Sequence, residues 1–128
     1  MVQQLKKILI IDDDERNIFA LKAVLTAKGF SCIAALSGMQ AMEILLEQPD
    51  VGVALVDMMM PGMDGYELMG RVRQLPALNH VKLVAVTAQA MLGDKEKCLA
   101  AGAQAYISKP VDIDSLLSVL PDSLKQRG

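Results

Sequence analysis

Val51-Gly52-Val53-Ala54-Leu55-Val56-Asp57-Met58-Met59-Met60-Pro61-Gly62-Met63-Asp64-Gly65 is the stretch that decides the fold. Its first six residues are apolar or glycine, the pattern of a strand covered on both faces. Asp57 ends that run and faces a loop bent by Pro61, Gly62 and Gly65. A carboxylate there contributes little to packing and is well placed as an accessible nucleophile.

Three other strand-like runs end on polar residues. Ile8-Leu9-Ile10-Ile11 leads into Asp12-Asp13-Asp14, Leu83-Val84-Ala85-Val86 into Thr87, and Ala105-Tyr106-Ile107-Ser108 into Lys109-Pro110. Between the strands lie helical patterns. Glu15–Lys28 repeats Ile18, Leu21 and Leu25 on one face and stops at Gly29. Ser37 with Gln40 reads as a capping box opening a helix that buries Ala41, Ile44 and Leu45 and stops at Pro49. Asp64 can cap a helix with Leu68, Val72 and Leu75 inward, closed by Pro76. Leu92–Ala101 and Val111–Leu120 complete the set, the first ended by Gly102 and the second capped by Asp112 or Asp114.

With strands expected at Lys6–Ile11, Phe30–Ala35, Val51–Val56, Val81–Val86 and Ala103–Ile107, the chain alternates five strands with five helices. Short links then require right-handed crossovers, giving an α/β doubly wound fold: a five-stranded parallel sheet with helices on both faces. Ligands of such sheets bind beyond the carboxyl ends of the strands, which brings Asp12, Asp13, Asp57, Thr87 and Lys109 to one edge.

At 128 residues the chain is expected to be one domain over 1–128, with a core over about 5–121 and a loose tail at 122–128. Hydrophobic residues make up 52% and charged ones 22%, a globular composition. A net charge of −2 without a basic patch argues against direct nucleic-acid binding, and no apolar run has the length of a membrane span. The cytoplasm is the expected compartment. Cys32 and Cys98 read as small core residues and His80 as exposed, so no zinc site can be assembled.

Asp12 and Asp13 have an ordinary reading as turn or N-cap residues for the helix near Glu15. Asp57 changes it, because three carboxylates in one cleft repel unless cations sit among them. Lys109 is one cation. Hard oxygen ligands with room for water and phosphate suit Mg²⁺, with the Met59 backbone carbonyl as a further ligand and Mn²⁺ expected to substitute. The cleft matches phosphoryl transfer to Asp57, with Lys109 neutralising charge, Thr87 donating its hydroxyl to a phosphoryl oxygen, and small Ala88 leaving room for the donor.

Ile10-Ile11-Asp12-Asp13, Leu55 through Gly65, Val86-Thr87-Ala88 and Ser108-Lys109-Pro110 together resemble the receiver domain of two-component response regulators, over essentially the whole chain. The resemblance implies the five-stranded flavodoxin-like fold. It implies Asp57 as phosphoacceptor, served by a phosphohistidine on a histidine kinase or histidine phosphotransfer protein, with Asp12 and Asp13 as metal acids and Thr87 and Lys109 gripping the phosphoryl group. It also implies a cis Lys109–Pro110 bond and Tyr106 as the aromatic switch.

On that basis Thr87 moves toward the phosphoryl group, Tyr106 rotates, and a downstream protein reads the face formed by the fourth helix, fifth strand and fifth helix. The domain would be a regulatory phosphoacceptor rather than an enzyme. Met59 and Gln89 would flank the phosphoryl group and set its lifetime. Neither is an efficient base, so self-dephosphorylation is expected to be slow to intermediate.

Two rivals stand beside this reading. A haloacid-dehalogenase-like phosphatase would use Asp12 as nucleophile, but Glu15-Arg16 and the lack of late paired acids fit it poorly and Asp57 would have no leading part. A non-phosphorylated docking receiver would not need the full set of polar strand ends.

Overall fold

A computed structural model of the chain describes residues 7–88, 93–121 and 124. The described elements are β1 (Lys7–Ile11), α1 (Glu15–Ala27), β2 (Ser31–Ala35), α2 (Gly38–Glu47), β3 (Val51–Asp57), α3 (Gly65–Arg73), a 3₁₀ turn (Pro76–Leu78), β4 (Lys82–Thr87), α4 (Asp94–Ala100), β5 (Ala105–Ser108) and α5 (Ile113–Ser118). The strands are parallel, in the order β2-β1-β3-β4-β5. After β2 the chain crosses to the other side of β1. That reversal leaves a crevice at the carboxyl ends of β1 and β3, where Asp12 and Asp57 stand.

The period-two alternation of strand side chains divides the core into two layers. Leu9, Ile11, Ala54, Val56, Leu83 and Ala85 pack with residues of α2 and α3 and with Cys98 of α4. Ile8, Ile10, Val53, Leu55, Val84 and Val86 pack on the other side with Ile18, Leu25 and Leu116 from α1 and α5. Every residue of β3 is buried, as its apolar run requires of a central strand. Cys32 and Cys98 are buried free thiols and His80 is exposed, as expected.

Several boundaries differ from the sequence reading, each for a local reason. The first helix ends at Ala27, with Lys28 as its C-cap and Gly29 at φ +97°. The Gly29 amide donates to the Thr26 carbonyl at 3.0 Å and the Phe30 amide to the Leu25 carbonyl at 3.0 Å. This is a Schellman closure, and it explains why β2 begins at Ser31 rather than at Phe30. The third helix ends at Arg73, before Pro76, and Pro76 instead opens a 3₁₀ turn that buries Leu78. The fourth strand runs one residue further, to Thr87, and the third to Asp57, so both polar residues belong to the ladders themselves.

The fifth strand starts at Ala105 rather than Ala103. The Ala103 amide is committed to the Cys98 carbonyl at 3.1 Å, closing α4. The last helix is shorter than expected, Ile113–Ser118, and its cap is Asp112, not Asp114. The expected start of the fourth helix at Leu92 lies outside the described residues, and its described part begins at Asp94 after Gly93 at φ +86°. Of the expected tail, only Leu124 is described, and it is buried against the α5 side of the core. The capping box opens as anticipated, with Ser37 Oγ accepting from the Gln40 amide at 3.1 Å. Its return bond, however, goes from the Leu36 amide to Gln40 Oε1 at 2.7 Å.

Candidate functional site

The cap of α1 is Asp14, whose carboxylate accepts from the Arg16 amide at 2.9 Å. Asp12 and Asp13 are therefore released from the ordinary N-cap role. Asp12 is 4% exposed and is held by the Asp14 amide at 2.9 Å on one oxygen and by Asn17 Nδ2 at 3.3 Å on the other. Asp13 is exposed. Asp57 is 5% exposed and accepts from the Met59 amide at 3.1 Å. One oxygen from each of Asp12, Asp13 and Asp57 lies within 4.8 Å of the others.

Lys109 reaches this cluster from the end of β5. Its Nζ lies 3.4 Å from Asp12 Oδ2 and 3.7 Å from Asp57 Oδ1. The Lys109 amide donates to the Thr87 carbonyl at 2.7 Å, which brings the ends of β4 and β5 together beside the acids. Thr87 is buried and Ala88 exposed at the same edge. The Lys109–Pro110 bond is cis. A cleft of about 540 Å³ opens beside the acids, between α1 and the segment after β5, with Asp12, Asn17, Leu21, Ala88, Lys109 and Val111 among its walls.

The loop after Asp57 is held in close approach to α3. A Cβ on Gly65 would stand 2.5 Å from Met58 Sδ, 2.8 Å from Met58 Cα and 3.0 Å from the Asp57 carbonyl. Only glycine lets the helix start directly under the strand end. Asp64 caps that helix, its carboxylate accepting from the Glu67 amide at 2.9 Å.

Burial pushes the Asp57 carboxyl above the usual carboxylate range, reinforced by the charge of Asp12 and opposed by the Met59 amide and Lys109. One ammonium against three carboxylates leaves an excess of negative charge on hard oxygen donors. That donor set fits a divalent cation of the Mg²⁺ type, with coordination positions left for water or phosphate.

The sequence-derived residues Asp12, Asp13, Asp57, Thr87 and Lys109 thus lie at one edge. Met59 follows as an exposed residue, at 54%, and Gln89 lies outside the described residues. Tyr106 is half-buried in β5, and its hydroxyl is not in open water: it donates to Asp94 at 2.9 Å. Asn17 and Asp94 were not anticipated. The signal for Asn17 was its place one turn after Asp14. Nothing local marks Asp94, because its partners are distant in sequence.

A five-stranded doubly wound sheet with an acid cluster at its switch point and a lysine beside it defines an α/β domain with a cation-ready edge. Residues 8–121 match the family model described as the response regulator receiver domain. The chain is 32% identical over 120 residues to the polar-differentiation response regulator DivK of Brucella ovis, covering 93% of this chain and 96% of that one. A response-regulator structure from Chloroflexus aurantiacus J-10-fl superimposes with a TM-score of 0.86 at 30% identity, over 94% of this chain and 98% of that one. The CheY-like receiver domain protein from Methanospirillum hungatei JF-1 gives 0.78 at 34% identity, over 90% of each chain.

The chain belongs to the response regulator receiver domain family. It is a signalling domain of a two-component system, of a family that interacts with histidine kinases or phosphotransfer proteins and generally binds Mg²⁺ at its acidic cluster. The phosphatase and docking-module alternatives are not favoured. Among the described residues no helix is long and apolar enough to cross a membrane.

Proposed function

We propose that Asp57 accepts a phosphoryl group from a phosphohistidine of a histidine kinase or histidine phosphotransfer protein. An Asp57 oxygen attacks phosphorus, the P–N bond to imidazole breaks, and the nitrogen keeps the electron pair. The observation that carries this reading is Lys109 Nζ, 3.7 Å from Asp57 and 3.4 Å from Asp12, at the rim of an open cleft. Lys109 neutralises charge on the phosphoryl oxygens, Thr87 donates its hydroxyl to one of them, and Ala88 leaves room for the donor.

Asp12, Asp13, Asp57 and the Met59 backbone carbonyl would hold Mg²⁺, or Mn²⁺ in its place. When bound, the ion supplies positive charge against the phosphoryl oxygens. A phosphorylated Asp57 draws Thr87 inward and lets Tyr106 rotate, so that the α4–β5–α5 face passes the signal to a downstream protein by population shift and without contact to nucleic acid. Met59 and Gln89 set the lifetime of the phosphoryl group. The chain, one domain over 1–128, assists its own phosphorylation and dephosphorylation and turns over no separate substrate. Two buried free thiols accord with a reducing, cytoplasmic setting.

Intact-mass spectrometry after incubation with acetyl phosphate tests the reading, with and without Mg²⁺, on wild type and Asp57→Asn. One Mg²⁺-dependent phosphoryl adduct, absent from the variant, is expected. An adduct of equal yield in Asp57→Asn refutes the assignment of the acceptor.

A further inference from the structure

Outside the acidic cleft, a second carboxylate occupies an unusual position. Asp94 opens α4, and its two oxygens accept from the chain's two tyrosines. Tyr66, second residue of α3, donates to Oδ1 at 2.9 Å, and Tyr106, second residue of β5, donates to Oδ2 at 2.9 Å. One side chain therefore joins three elements separated by 28 and 12 residues of sequence. The Tyr66 end is anchored further. Lys97 Nζ lies 4.5 Å from the centre of the Tyr66 ring, and the sulfur of buried Cys98 lies 3.7 Å from the Tyr66 oxygen. The Tyr106 end has no such additional anchor among the described residues, where its hydroxyl meets Asp94 alone.

We propose that Asp94 is a latch that holds Tyr106 in its half-buried packing on the core and thereby sets the threshold for switching. The inference rests on the reading of Tyr106 as the switch residue. Inward rotation of Tyr106 breaks its bond to Oδ2, whereas the Tyr66 bond keeps the carboxylate and the start of α4 on α3. Each hydroxyl-to-carboxylate bond is charge-assisted, and loss of the Tyr106 bond shifts a two-packing equilibrium by about tenfold. The latch opposes switching in the unphosphorylated domain and must be outcompeted by the phosphoryl group. Burial and the Asp94 bond together raise the Tyr106 hydroxyl to about 12, so it stays protonated, a donor, at physiological pH.

The two tyrosines and the absence of tryptophan make ring NMR signals a direct readout. Beryllium fluoride with Mg²⁺ serves as the phosphoryl mimic, titrated into wild type, Asp94→Ala, Tyr106→Phe and the double variant, with Tyr66→Phe used to assign the rings. In wild type the mimic is expected to move the Tyr106 signal. In Asp94→Ala that signal moves the same way before any mimic is added, and the mimic's midpoint falls about tenfold. In the Tyr106→Phe background, Asp94→Ala is expected to change the midpoint no further, which a purely structural role for Asp94 would not produce.

An unchanged midpoint in Asp94→Ala, with Tyr106 responding normally in wild type, overturns the latch and leaves the switch reading standing. A Tyr106 signal that ignores the mimic in wild type overturns both. Should Asp94→Ala fold poorly, Asp94→Asn keeps one acceptor oxygen. It must then shift the midpoint in the same direction by a smaller factor, and no shift there also overturns the proposal.

Discussion

Replacing Asp57 by asparagine should stabilise the metal-free protein, although Asp57 is the proposed acceptor. Oxygens of Asp12, Asp13 and Asp57 lie within 4.8 Å of one another. At an effective dielectric constant near 20, each repulsion that Asp57 feels at that separation costs about 3.5 kcal/mol. Its attraction to Lys109 at 3.7 Å returns about 4.5 kcal/mol on the same scale. Exposed Asp13 is screened by solvent, so the Asp57 charge is disfavoured first by its burial and then by Asp12 acting against Lys109, a net cost on the order of 2 kcal/mol. For 128 residues that corresponds to a rise in Tm of about 7 °C.

The pH dependence has a definite sign. Burial raises the Asp57 pKa in the folded state above the ordinary aspartate value of 3.8. The folded protein therefore binds more protons than the unfolded chain above pH 3.8, and stability falls as pH rises through the raised value. At neutral pH the whole penalty is present. Asp57→Asn removes that fall. Urea unfolding in EDTA across acid to neutral pH, repeated with Mg²⁺, checks each arm. Wild type should gain markedly from Mg²⁺ and the variant much less. A variant no more stable than wild type in EDTA at neutral pH, or one gaining equally from Mg²⁺, refutes the reasoning.

Gly65→Ala puts a methyl against Met58 Cα at 2.8 Å, and unfolding should show a loss of about 1–3 kcal/mol together with slower phosphorylation of Asp57. Lys109→Met leaves Asp12 and Asp57 without their ammonium, so acetyl phosphate labelling followed by mass should slow by about a hundredfold. The same change removes the lysine charge that lowers the Asp57 pKa, which a carbon-13 NMR titration of its carboxyl should register as a further rise. The exposed Met59 side chain offers no base for water, so loss of the phosphoryl group from wild type should be slow to intermediate. A Met59→Asn, Gln89→Glu pair should change that lifetime by on the order of tenfold, and a wild-type half-life of seconds would contradict the idea.

The polar strand ends were legible from sequence because each is a local event. An apolar run that stops at Asp57, Thr87 or Lys109 is visible to anyone counting along the chain, and parallel crossovers then bring those ends to one edge. The alternation of Leu9 and Ile11 with Ile8 and Ile10 likewise follows from period two and yields the two core layers. Helix ends were harder, since they turn on which amide finds which acceptor. Asp12, Asp13 and Asp14 are chemically equivalent candidates for capping α1, and only the Asp14 contact to the Arg16 amide separates them. Phe30 continues the apolar run of a strand, yet its amide is committed to the Leu25 carbonyl.

The amino-acid sequence by itself determined the fold class, the edge where chemistry happens and the residues that meet there, because burial pattern and polar breaks are properties of neighbours along the chain. Tertiary structure alone decided that Lys109 lies between Asp12 and Asp57, that α3 starts against Met58, and that Asp94 joins Tyr66 to Tyr106. Those facts depend on distances between atoms on different elements. Strand order and crossover geometry set such distances, and no local pattern encodes them.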